Sequence, residues 1–152
     1  MNVTPGEQLA LALRAEITAL ETVLAQLDAE QQALRAGDAQ RIEACTRAKD
    51  AALKQLAGLQ QQRPTAAADA TLSSQISVLD NAIENRELQA RLIALGERCA
   101  ELNASNGVLI GRLTEHTRSA LRVLRQQDGD PRLYSGTGAA DSASDSQSLG
   151  KA

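Results

Sequence analysis

Between Leu88 and Gln127 the positions Leu88, Leu92, Leu95, Cys99, Leu102, Asn106, Leu109, Leu113, His116, Ala120 and Val123 recur at alternating steps of four and three. That seven-residue repeat belongs to a helix packed along one stripe against other helices. At about 1.5 Å rise per residue the helix would be roughly 60 Å long, well beyond the ~10 to 14 residues of a typical globular helix. Its second half carries more apolar surface than the stripe uses. Val108, Ile110, Leu121 and Leu124 lie outside the seam, and Ile110, Thr114, Thr117, Leu121 and Leu124 trace a second line at steps of four and three. One packed face needs one such line. The surplus predicts either a deeper core or a docking surface for another protein. Two preceding helices of fewer than about 30 residues each, or ~45 Å, are too short to cover a rod of that length, which favours docking.

The earlier part of the chain predicts those two helices. Thr4-Pro5-Gly6-Glu7 reads as a capping box with proline in the first turn, and Leu13, Ile17, Leu20, Leu24, Leu27 and Leu34 then keep the seven-residue spacing, with Gln31 as its polar break. Gly37 can stop this helix in the left-handed conformation, and Asp38 can cap the next one. The second helix, about 38–62, presents Ile42, Cys45, Ala52, Leu56 and Leu59, with Lys49 as the exception. A hinge this short requires an antiparallel hairpin over about 5–63. Arg63-Pro64 closes it.

Leu72, Ile76, Leu79 and Ile83 continue the helical spacing, but the phase shifts around Asp80, Asn81 and Asn85 before the stripe from Leu88 begins. The shift predicts a kink, a stutter or a break between a linker with a short helix, about 64–85, and the long helix, about 86–127. After Gln127 the chain turns to Gly, Ser, Ala and Asp. The tail, 128–152, is expected to be disordered, with Leu133-Tyr134 as a candidate docking pair. The helical part, 1–127, forms one domain, all-α: an antiparallel helical bundle or coiled coil with a long C-terminal helix.

Composition supports helices and removes several functions. Aromatic residues make up 1% of the 152 residues, Phe and Trp are absent, and the net charge is −3, so neither a basic footprint nor a stacking platform for nucleic acid is present. The opening residues lack the pattern of a signal peptide and no window is apolar enough to insert directly into a membrane, which predicts a cytoplasmic protein. Cys45 and Cys99 fall at seam-like positions and read as buried free thiols. His116, the sole histidine, reads as a partly buried or interfacial structural residue. No catalytic pair, metal motif or phosphate loop is present, so no catalytic residue, metal ligand or cofactor is assigned. The acidic residues read as solvated helix faces. Asn103, Asn106 and Gly107 interrupt the long helix, either to fix register or to admit a second helix closely, with the asparagines supplying hydrogen bonds.

The run Leu102-Asn103-Ala104-Ser105-Asn106-Gly107-Val108-Leu109-Ile110, followed by Leu121, Leu124 and Leu133-Tyr134, resembles the FlgN family of flagellar export chaperones. The resemblance implies a chaperone that binds the hook-associated proteins FlgK and FlgL, prevents their premature association, and delivers them to the type III export gate. It places the substrate surface on Asn103, Asn106, Gly107, Ile110, Leu113, Thr117, Leu121 and Leu124, and gate docking to FlhA on Leu133 and Tyr134. The alternative is a structural coiled coil that covers its surplus stripe with copies of itself. A homo-oligomer is also conceivable for the substrate-free chaperone.

Overall fold

The computed structural model describes residues 2–65 and 70–128. Its elements are α1 (Pro5–Ala36), α2 (Ala39–Gln62), α3 (Leu72–Ser77) and α4 (Ala82–Asp128). The chain divides into two compact units, Met1–Glu115 and His116–Ala152.

Local chemistry sets the helix ends in the first unit. The Thr4 hydroxyl accepts from the Glu7 N–H at 3.2 Å while the Glu7 carboxylate accepts from the Thr4 N–H at 2.8 Å. Two amide donors that have no partner inside α1 are thereby satisfied. Thr4→Ala is expected to remove about 1 kcal/mol and to lower the thermal midpoint by roughly 2 to 4 °C, read by circular dichroism. An unchanged midpoint would show the box to be dispensable. At the other end Gly37 has φ 66°, and the amides of Gly37 and Asp38 reach back to the Leu34 and Ala33 carbonyls. The Asp38 carboxylate then accepts from the Arg41 N–H at 3.0 Å and opens α2.

The hairpin is antiparallel, as its side-chain pairs record. Glu30 meets Thr46 and Lys49 of α2, and Glu16, earlier in α1, meets Arg63, the residue that caps the end of α2. Toward α4 the direction reverses. The Asn85 amide donates to the Gly6 carbonyl at 3.1 Å, the Cys99 thiol to the Leu20 carbonyl at 3.8 Å, and the Asn106 amide to the Leu27 carbonyl at 2.9 Å, each across 79 residues. The exposed pairs Arg14–Glu84 and Glu21–Arg91 likewise share a separation of 70. A constant separation means that both helices advance together. Within the first unit α4 therefore runs parallel to α1, in heptad register, and antiparallel to α2.

This arrangement makes α1 the central helix. Ala19, Leu20, Val23 and Leu27 from α1 pack with Ala52 and Leu56 from α2 and with Cys99, Leu92, Leu95 and Leu102 from α4. A second cluster joins Leu9 and Leu13 to Ile76 of α3 and to Leu88 and Leu92 of α4. Of the two predicted polar breaks, Gln31 bonds Ser105 of α4 at 3.3 Å and Lys49 bonds Glu30. Both exceptions to the apolar repeat are thus cross-helix contacts.

Several expectations change. The phase shift is a break: α3 ends at Ser77, a turn follows, and α4 begins at Ala82, which leaves Ile83 exposed instead of on the stripe. The turn crosses α1 at Gly6, where a Cβ would meet the Asp80 carboxylate at 2.5 Å. At 32 residues α1 is longer than the estimate from the sequence. The thiols are free, but only Cys99 is buried, while Cys45 is half-buried. Burial and the nearby Asp28 charge push the Cys99 thiol up from its ordinary pKa. Two acidic residues are not on solvated faces, because Glu16 and Glu30 are fully buried. Each faces a cation, Arg63 just past the end of α2 for Glu16 and Lys49 of α2 for Glu30. Burial pushes Glu16 above the usual carboxylate range, with Arg63 acting in the opposite sense.

Candidate functional site

The candidate surface lies on α4, in two stretches that belong to different units. In the first unit the register with α1 decides which side chains face inward. Leu88, Leu92, Leu95, Leu102 and Leu109 are half-buried and Cys99 and Asn106 buried, so the seam holds as far as Leu109. At the offset of the interhelix bonds, Leu113 falls opposite Leu34 and Glu115 opposite Ala36, the last residue of α1. Leu113 retains 38% of its surface, and Val108 and Ile110, off the seam, are also exposed.

Asn106 and its neighbours separate into two roles. The Asn106 amide is 1% exposed and donates to both the Leu27 carbonyl and the Glu30 carboxylate at 2.9 Å. Its Oδ1 has no hydrogen-bond partner among the described residues. A half-satisfied buried amide lowers stability but penalises any other register, since a shift would strand Glu30 and the amide together. Glu30 is pushed up by burial, yet bonds from Lys49, Asn106 and Thr46 and the ammonium charge outweigh this and hold it below the usual carboxylate range. Of the two roles open to Asn106, the geometry supports register. Asn103 and Gly107 are exposed, and nothing in the chain lies within 4 Å of where a Gly107 Cβ would stand. A helix from outside can approach closely there.

In the second unit the described part of α4 is exposed almost all round. Thr117, Leu121, Val123 and Leu124 are exposed, the last three by about half of their surface. His116 is exposed as well, which departs from the expected partly buried residue and leaves the interfacial reading. Half of the exposed large aliphatic side chains among the described residues fall between Val108 and Leu124. Exposed apolar side chains grouped in this way are candidates for contact with another protein. Leu133 and Tyr134 lie outside the described residues.

Among the described residues no group of three His, Cys, Asp or Glu side chains is arranged to hold a metal ion, and no helix is long and apolar enough to cross a membrane. The family model described as FlgN protein matches residues 5–142, which takes in all four helices. The chain belongs to the FlgN family. Neither the curated proteins nor the solved structures compared with it give a match. Membership in the FlgN family carries a flagellar export chaperone role, in keeping with an exposed apolar helix surface.

Sequence reasoning missed the pairing of Glu30 with Lys49 and Asn106, which holds the start of the exposed stretch in place. The signal was present: Lys49 breaks the repeat of α2 and Asn106 that of α4, and each break requires a buried polar partner.

Proposed function

We propose that this FlgN-family chain is a cytoplasmic chaperone that captures FlgK and FlgL before secretion and delivers them to the export gate through FlhA. The carrying observation is the exposed aliphatic surface of α4, with Val108, Ile110 and Leu113 in the first unit and Leu121, Val123 and Leu124 in the second. An amphipathic part of the substrate covers the exposed side chains of each stretch, in the manner of helix-in-groove recognition. Gly107 and Asn103 lie on its path, as does Thr117, while Asn106 positions α4 from beneath. Burying one aliphatic side chain contributes about 1.5 to 3 kcal/mol, and four or five together exceed an association cost of about 4 kcal/mol or more. The contact is firm yet reversible, and mass action alone drives it without ATP.

Mixing the purified chain with FlgK or FlgL and following mass by light scattering tests this reading. A complex with either protein is expected. A tight homo-oligomer that ignores both would assign the surface to self-association. Delivery is assigned to Leu133 and Tyr134, which lie inside the family match. Tyr134→Ala should leave the substrate complex intact and weaken its capture by FlhA about tenfold or more, consistent with losing one buried aromatic anchor. Equal capture of parent and variant would remove Tyr134 from that role.

A further inference from the structure

The second unit carries a charge pattern that the apolar surface does not account for. From His116 to Gln126 there are three arginines, Arg118, Arg122 and Arg125, and no carboxylate, in a chain whose net charge is −3. Steps of four and three put the three on one line along the helix. All three are exposed, and none forms an ion pair among the described residues. Together with Leu121 and Gln126 they border one shallow surface depression. Arg118 and Arg122 stand at i and i+4, where like charges repel and weaken a helix; the nearest carboxylates on the line are at its two ends, Glu115 and Asp128. Carboxylates brought by a partner would relieve the repulsion.

We propose that the helix captured by α4 is acidic along one flank, with Asp or Glu side chains spaced by three and four that face Arg118, Arg122 and Arg125 while its aliphatic stripe covers Leu121 and Leu124. The proposal deepens the chaperone reading above and rests on it. Charge complementarity selects the occupant. The basic side chains form a single line beside the apolar arc, the layout of flanking charges in paired helices, where they set partner choice and orientation. An anionic membrane is the other surface that arginines beside leucines could meet, and the vesicle measurement below separates the two.

The test uses the full chain and three synthetic amphipathic helical peptides that share one leucine stripe and carry Glu, Gln or Lys at the flanking positions. Anisotropy titration at low salt should rank them Glu, Gln, Lys, with the Glu peptide at least tenfold tighter than the Lys peptide and the gap closing as salt rises. Arg118→Glu with Arg122→Glu and Arg125→Glu should reverse the order with an unchanged circular dichroism spectrum. Equal binding of the three peptides, binding of none, or an order that survives the reversal overturns the proposal. So does sedimentation of the parent, but not of the triple variant, with vesicles of one part phosphatidylglycerol to three of phosphatidylcholine, if the peptides are not discriminated. Continued capture of FlgK or FlgL by a chain that ignores peptide charge would leave the chaperone reading standing and discard only the acidic flank.

Discussion

Leu121→Asp combined with Leu124→Asp should lower substrate affinity by a hundredfold or more while leaving the fold intact. Both leucines are about half exposed in the free chain. Each contributes about 1.5 to 3 kcal/mol when a partner covers it, so losing two removes at least ~3 kcal/mol, and every 1.4 kcal/mol is a factor of ten. A carboxylate carried into an apolar contact opposes binding further. For the free protein the exchange is close to neutral, because surface substitutions usually stay within about 0.5 kcal/mol. Calorimetric titration against FlgK or FlgL, with far-ultraviolet circular dichroism and a thermal melt beside it, separates the outcomes. Undiminished binding would remove the surface from substrate capture, and a collapsed melt would place the leucines in a core.

The largest effect on stability is expected at Lys49. Lys49→Met leaves the Glu30 carboxylate buried with hydrogen bonds from Thr46 and Asn106 but without its ammonium partner. Breaking a buried pair from one side typically destabilises by about 3 to 5 kcal/mol, a large part of the ~5 to 15 kcal/mol that holds a domain together. The thermal midpoint should fall by about 10 °C. Adding Glu30→Leu should recover much of the loss, since an apolar pair in place of a buried ion pair is often neutral or better.

The same pair has a pH signature. In the parent the Glu30 pKa is held below its unfolded value, so its stabilisation is present at neutral pH and is lost as pH falls through the folded pKa. Without Lys49 the burial that pushes Glu30 up acts with less opposition, and protonation relieves the stranded charge. The gap between parent and Lys49→Met should therefore narrow on acidification. Urea melts at pH 7 and pH 4.5 read this, and a gap that widens would contradict the assignment. Glu16 acts in the opposite sense: its pKa is raised, so its ionisation opposes folding at neutral pH and that opposition lifts as pH falls.

The limits of the hairpin were legible because they depend on neighbours in sequence. Thr4 and Glu7, Gly37 with its positive φ, and Asp38 act over three or four residues, and the structure has each doing so. The apolar repeat likewise identified the inward faces of α1, α2 and the first part of α4. The direction of α4 relative to α1 was not legible. A seven-residue stripe packs equally well on a parallel or an antiparallel neighbour, and the choice rests on which polar groups meet across the seam, Asn85 with Gly6 and Asn106 with Leu27.

The candidate surface divides in the same way. Periodicity marked Ile110, Leu121 and Leu124 as surplus, since a line of aliphatic residues is a property of one helix alone. It could not separate Asn106, which faces inward, from Asn103 and Gly107 beside it, which face out. Which face of a helix is covered depends on its neighbours, and within the first unit the register with α1 turns Asn106 inward. The sequence by itself determined the helices, their caps and their greasy stripes, because those follow from short-range geometry. Only the tertiary structure decided direction, the burial of Glu16 and Glu30, and how far along α4 the chain covers its own apolar side chains, because each depends on atoms dozens of residues away.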